Sequence, residues 1–209
     1  MEIMKKIVFI IVAIFCLTIN SIAQENDYRK KLLFGVKAGA NYSNIYDEQS
    51  QDFNADPKYG LAAGAFLSIP IGRYLGVQPE VLFSQKGFYA SGSNYSFART
   101  TNYLDVPLLV AFKPAEFLTI LGGPQYSYLM KQNDRFDSPL INIEQQQEFE
   151  NDNIRKNILC FVGGVDFNLR RFVFGARAGW DVQHNNGDGT SYNPRYKNVW
   201  YQGTIGLRF

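Results

Sequence analysis

Between residues 198 and 209, Val199, Tyr201, Ile205, Leu207 and Phe209 fall on one alternating set, interrupted only by Gly203. The other set, Trp200, Gln202, Thr204, Gly206 and Arg208, is mostly small or polar. A period of two marks a strand with one greasy face and one wet face. A tilted strand of about ten residues is long enough to cross a bilayer. It cannot cross alone, because its backbone N–H and C=O groups would be unpaired in lipid. The rest of the chain must therefore supply partners.

It does so with the same alternation. Residues 33–43 carry Phe34, Val36, Ala38, Ala40 and Tyr42 on one face, and residues 59–69 carry Tyr59, Leu61, Ala63, Ala65, Leu67 and Ile69. Further predicted strands are 74–87, 101–113, 117–130, 157–169 and 172–183, with 198–209 the eighth. The connections alternate in length. Stretches 44–58, 88–100, 131–156 and 184–197 are long and polar, whereas 70–73, 114–116 and 170–171 are tight turns. The pattern predicts an all-β fold, an eight-stranded antiparallel up-and-down transmembrane β-barrel with short periplasmic turns and long outer loops. The last strand then pairs with the first and leaves no open edge. Tyr28, Tyr42, Tyr59, Tyr74, Tyr89, Tyr103, Tyr126, Tyr128, Trp180 and Tyr201 are expected to form aromatic girdles at the two interfaces. Pro79 lacks a ladder donor and predicts a bulge or irregularity, and Gly122-Gly123-Pro124 predicts a register shift.

The first residues read as a targeting segment. Lys5 and Lys6 precede an apolar run at 7–17, and Ser21-Ile22-Ala23 supplies small residues before a cleavage point. Residues 1–23 are expected to be a signal peptide and 24–209 the barrel domain. Beyond that segment the only cysteine is Cys160, which excludes an intrachain disulfide. A formal net charge of +2 gives no footing for a nucleic-acid partner. The mean hydropathy of −0.19 argues against a bundle of membrane helices but not against a barrel, in which half of each strand is polar.

If the apolar faces meet lipid, the lumen receives Lys37, Glu80, Lys86, Asp105, Asp166, Arg177, Asp181 and Arg208. A barrel this narrow is filled by side chains, and charges inside it have to be paired. An interior network is expected, with Glu80 and Asp105 against Lys37, Lys86 or Arg177. Its competitor is a gated ion path. His184 is the one histidine, near Asp181 and Ser191, in a Gly- and Asn-rich loop. Ser, His and an acid near a rim are the ingredients of acyl-transfer chemistry, but a solvated loop histidine is the plainer reading. The acidic residues from Asp134 to Asp152 lack the Gly-containing spacing of a Ca²⁺ loop. No catalytic centre, metal or cofactor is expected.

Several motifs carry a family likeness. They are Phe34-Gly35-Val36-Lys37-Ala38-Gly39, Tyr103-Leu104-Asp105-Val106-Pro107-Leu108-Leu109, Gly122-Gly123-Pro124-Gln125-Tyr126 and Ile205-Gly206-Leu207-Arg208-Phe209. With the Lys-Lys signal ending Ser-Ile-Ala-Gln, they resemble the PorT-like outer-membrane β-barrel family of Bacteroidetes, over essentially the whole mature chain. The resemblance implies an eight-stranded barrel and no particular activity. The namesake's part in protein secretion rests on no residue matched here. The resemblance also implies that the terminal strand, through Tyr201, Leu207 and Phe209, is read by the outer-membrane insertion machinery. The expected partners are the lipid bilayer, that machinery, and an envelope or extracellular protein met by loops 44–58 and 131–156. The expected role is structural or interactive. The alternatives are a small-solute pore and a component of a protein-export assembly.

Overall fold

The computed structural model describes residues 27–46, 55–92, 95–138, 141–147, 155–185 and 195–209. The expected signal peptide at 1–23 and Ser191 lie outside these residues. After a short 3₁₀ turn, Tyr28–Lys30, the chain is built of strands. They are β1 (Leu33–Tyr46), β2 (Ala55–Pro70), β3 (Leu75–Gly92), β4 (Tyr95–Ala115), β5 (Leu118–Ser138), β6 (Ile141–Gln147), β7 (Asn157–Leu169), β8 (Phe172–Asp181) and β9 (Lys197–Arg208).

Eight of these close a barrel. Each strand of the series β1, β2, β3, β4, β5, β7, β8, β9 is antiparallel to the next, and β9 returns to β1. The closing seam pairs Val36 with Leu207 and Tyr42 with Tyr201, so the two ends of the chain seal the wall. Closure gives every strand two neighbours and answers the demand that lipid makes on the backbone. The ninth strand, β6, lies outside the ring and, among the described residues, pairs only with the outer arm of β5, from Gln132 to Ser138.

Alternation decides which face is which. Tyr201 is 62% exposed and its neighbour Gln202 only 5%. The same contrast runs through Leu61, Val81, Val110, Phe167 and Ile205 outside against Asn41, Ser84, Asp105, Gln125 and Thr204 inside. A continuous apolar exterior of this extent would not stay dispersed in water, whereas hydrocarbon accommodates it.

Five expectations need correction. Residues 88–100 are not a loop, because β3 and β4 continue as a ladder to Ser91↔Ser96 and Gly92↔Tyr95. The stretch 131–156 begins as strand as well, the arm of β5 with β6. In these hairpins backbone pairing outlasts the hydrophobic alternation that marks a membrane strand. Pro79 causes no bulge: Pro79↔Leu108 and Leu82↔Asp105 share one register. Gly122-Gly123-Pro124 likewise passes in unbroken register against β7. The irregularities sit elsewhere, between Pro57 and Ala62 against β3, and against β5 between Asn102 and Tyr103 and, beside the tight turn, between Phe112 and Ala115. Of the residues expected in the girdles, Tyr42, Tyr59, Tyr74, Tyr89, Tyr126, Tyr128, Trp180 and Tyr201 are all exposed on the outer face. Tyr103 is instead buried in the lumen, and Tyr28 sits at the mouth beneath the Arg208 guanidinium.

Candidate functional site: the filled lumen

The eight charged residues predicted for the lumen all lie on inward positions, each no more than 9% exposed. They are stacked in tiers rather than joined in one network.

The lower tier is a neutral cluster of four charges. Lys37 Nζ on β1 stands 2.5 Å from Glu80 Oε2 on β3. Arg177 on β8 grips Asp166 on β7 with both terminal nitrogens, at 2.6 and 3.0 Å. The two pairs touch where Arg177 Nη2 comes within 3.6 Å of Glu80 Oε1. Gln78 Nε2 donates to Glu80 at 2.9 Å and to Asp166 at 3.4 Å. Removing any one member leaves an uncompensated buried charge, which is far costlier than an exposed one. Above it Asn41 is a neutral crosspiece, donating to Ser84 Oγ and accepting from Gln202 Nε2, both at 2.9 Å.

The middle tier is centred on Lys86. Its ammonium bonds Asp105 at 3.0 Å, lies 3.6 Å from the Trp200 ring centroid, and is 4.8 Å from that of Tyr103. An aromatic face is a good neighbour for a cation withdrawn from water. Asp181 belongs to this tier but has no cation within ion-pairing distance among the described residues. Its carboxylate accepts from Asn198 N at 2.9 Å, from Asn198 Nδ2 at 2.5 Å and from Cys160 Sγ at 3.1 Å. The wall here also carries an apolar cluster of Leu109, Leu121, Ile158, Val162 and Trp200. The lumen is therefore not polar throughout, as a uniform charged filling would require. Arg208, last of the eight, sits at the bottom and bonds Asn168 Oδ1 and the Arg170 carbonyl rather than an acid.

The outer tier was missed. Arg99 Nε and Nη2 bond the two oxygens of Asp134, each at 2.8 Å, and Nη1 donates to Tyr196 OH at 3.3 Å. Phe88 packs edge-on against Tyr196, centroids 5.3 Å apart. All these residues lie in the stretches that the sequence predicts as loops. For Arg99 there was a usable signal, since Arg99, Thr101, Tyr103 and Asp105 share one alternating set. For Asp134 there was none, because the β5 irregularity moves the inward parity from Leu129 to Gln132.

Of the possible hydrolytic trio, Ser191 lies outside the described residues. Asp181 turns into the lumen and is occupied by Asn198 and Cys160. Asp134, a member of the acidic stretch, is occupied by Arg99.

Residues 22–184 match the family model described as "Outer membrane protein beta-barrel domain". Among solved structures the chain is similar to Ail, the attachment invasion locus protein of Yersinia pestis. The two share 15% identity at TM-score 0.54, over 86% of this chain and 99% of that one. Ail in complex with the heparin analogue sucrose octasulfate gives 15% identity and TM-score 0.52 over the same shares. OprG from Pseudomonas aeruginosa gives 13% identity at TM-score 0.45, over 86% of this chain and 97% of that one. At these identities the likeness is one of fold. No curated protein matches the sequence.

Proposed function

The chain belongs to the outer membrane protein β-barrel domain family, and from that premise we propose a plugged, non-enzymatic barrel that works through its outer hairpins. It resides in the outer membrane. The observation that carries the proposal is the mid-barrel filling. Asn41, Lys86, Asp105, Leu109 and Trp200 are each at most 2% exposed, and they come from four different strands. Charges in so tight a space serve as cross-braces rather than as a relay for hydrated ions.

The same wall lifts β3, β4, β5 and β6 beyond the greasy band as paired hairpins, a stiff platform for contact. The outer stretches 44–58 and 131–156 carry more acids than bases: Asp47, Glu48, Asp52 and Asp56 against Lys58 in the first. That surplus favours a basic protein surface over a sulfated ligand of the kind in the Ail complex. The placement of Asp181 supports the non-enzymatic reading. The outward row Tyr201, Leu207 and Phe209 supports recognition by the insertion machinery. The PorT-like resemblance supports a seat in a Bacteroidetes envelope. It also keeps a part in protein export as the alternative, which a loss of secreted proteins on deletion of the chain would favour.

The test is single-channel conductance of the refolded barrel in a planar bilayer. Silence from protein shown to be folded is expected. Steady conductance that changes in Glu80→Gln would make the lumen a path and the protein a small-solute pore.

A further inference from the structure

We propose that the periplasmic mouth of the lumen binds a single phosphate-type oxyanion between Lys113 and Arg208. The inference concerns the end of the barrel opposite the outer hairpins and does not depend on what they contact.

The two side chains are the exceptions among the buried cations described. Lys37, Lys86, Arg99, Arg177 and Arg29 each have a carboxylate partner at 3.0 Å or less. Lys113 is 5% exposed and its ammonium bonds only Ser68 Oγ, at 2.9 Å. Arg208 is 9% exposed and bonds two neutral oxygens, Arg170 O and Asn168 Oδ1. Neither has an acid within ion-pairing distance. A buried cation without a counter-charge is costly, and neutral acceptors offset only part of that cost.

Both line one small cavity of about 20 Å³, with Ser68 and Thr119 beside them. The acids on that lining are committed elsewhere. Asp166 is gripped by Arg177, and Glu116 is solvent-exposed, 3.9 Å from Arg29. The Thr119 hydroxyl accepts from Asn168 Nδ2, which leaves its own proton to give. The site thus offers two cations and a hydroxyl donor to one negative group.

In its present form the cavity has room for water rather than for an oxyanion. Its floor is the 3₁₀ turn, where Tyr28 lies 5.0 Å from the Arg208 guanidinium. Entry therefore requires Tyr28 to swing aside, and the incoming anion would replace a cation–π contact with two ion pairs. Around the mouth Lys30, Lys31, Arg73, Arg170 and Arg171 are exposed, a basic rim that concentrates anions at the entrance. The occupant's chemistry is a phosphate group. Its source is either free phosphate or the headgroup of a phospholipid in the adjoining leaflet.

The experiment is calorimetric titration of the whole barrel in neutral micelles with inorganic phosphate, ionic strength held constant with chloride. Folding of each protein is checked by heat-modifiable electrophoretic mobility. Saturable binding is expected. Lys113→Gln and Arg208→Gln should each weaken it about tenfold or more, the scale of a lost charged hydrogen bond. Lys131→Gln, on β5 at the opposite end of the barrel, should leave it within about twofold. Absence of heat with the native chain, or equal binding by both folded interior variants, overturns the proposal. Repeating the titration in nanodiscs separates the sources. Lower apparent phosphate affinity in phosphatidylglycerol than in phosphatidylcholine assigns the site to a headgroup, and equal affinity assigns it to the free anion.

Discussion

Lys37 and Glu80 lie 43 positions apart, on β1 and β3, yet their charged atoms meet at 2.5 Å inside the barrel. β2 runs between them, and the residue it sets opposite Lys37 is Gly64. With no side chain at that point, the long arms of Lys37 and Glu80 can close over β2. A Cβ at Gly64 would stand 2.1 Å from Val81 O, so the close approach of β2 to β3 also depends on this glycine.

Replacing Glu80 by Met should therefore destabilise the barrel by about 3–5 kcal/mol, the range for removing one partner of a buried pair. Lys37 is left with no acid, and Arg177 keeps only Asp166. Adding Lys37→Met should recover a large part of the loss, because the stranded charge is gone. Reversible urea unfolding in lipid vesicles measures both variants. A double variant no better than the sum of the two singles would show that Lys37 and Glu80 are not coupled.

Gly179 and Trp200 are directly opposed across β8 and β9, and the indole lies over the glycine. A Cβ at Gly179 would fall 2.3 Å from Trp200 Cζ2. Gly179→Val must push the ring away and with it the cushion under Lys86. The expected cost is about 1–3 kcal/mol, as for overpacking generally. In a Trp180→Phe background Trp200 is the only tryptophan, so its emission should shift to the red on substitution. An unchanged spectrum at unchanged stability would disprove the contact.

How far the fold was legible follows from these same residues. Lys37, Glu80, Lys86, Asp105 and Arg177 sit on strands where period two runs unbroken, so their inward direction could be read directly. Which acid each cation would choose could not be read. That depends on shear between strands and on gaps such as Gly64, and neither is written in one strand's pattern. Above the greasy band the outward residues become polar and alternation in hydropathy fades, although pairing continues. Arg99, Asp134 and Tyr196 were hidden there, and the single extra residue of β5 reversed the parity that would have located Asp134.

The outer face of β9 yields a kinetic prediction. Tyr201, Leu207 and Phe209 are 62%, 38% and 63% exposed on the lipid side. Phe209→Ala removes apolar surface there but keeps the backbone bonds that Phe209 exchanges with Phe34. Assembly catalysed by insertion machinery in proteoliposomes should slow several-fold, while spontaneous folding into detergent should proceed near the native rate. Equal slowing in both settings would trace the effect to barrel stability and remove the recognition role.

The N-terminal turn gives a pH prediction. Arg29, hydrogen-bonded to Asp27, holds that carboxyl at about 2, below the ordinary 3.8. A lowered folded-state value means that the contact contributes fully above the ordinary value and is lost as pH falls through about 2. Nothing should change at this turn between pH 7 and about pH 4. Carboxyl ¹³C titration should place Asp27 near 2 in the native chain and near its ordinary value in Arg29→Gln. Matching titration curves for the two proteins would dismiss the Arg29 contact as the cause.

The last prediction concerns the join between membrane barrel and outer platform. Arg99 and Asp134 form a two-bond ion pair on β4 and β5, and Tyr196 closes it from the β9 side. Below this point the strands are held by the ring as a whole, whereas above it β4 and β5 have fewer neighbours. Asp134→Asn keeps the shape but removes the counter-charge of a buried guanidinium, at a cost of about 2–3 kcal/mol. That loss should fall on local opening of the platform and less on global unfolding, since the ring below is closed independently. Hydrogen exchange should quicken at amides from Ser96 to Thr101 and from Lys131 to Asp137, with Val106 to Val110 unchanged. Uniform acceleration across both groups would mean that platform and barrel open together, and the idea of a separately held outer tier would fail.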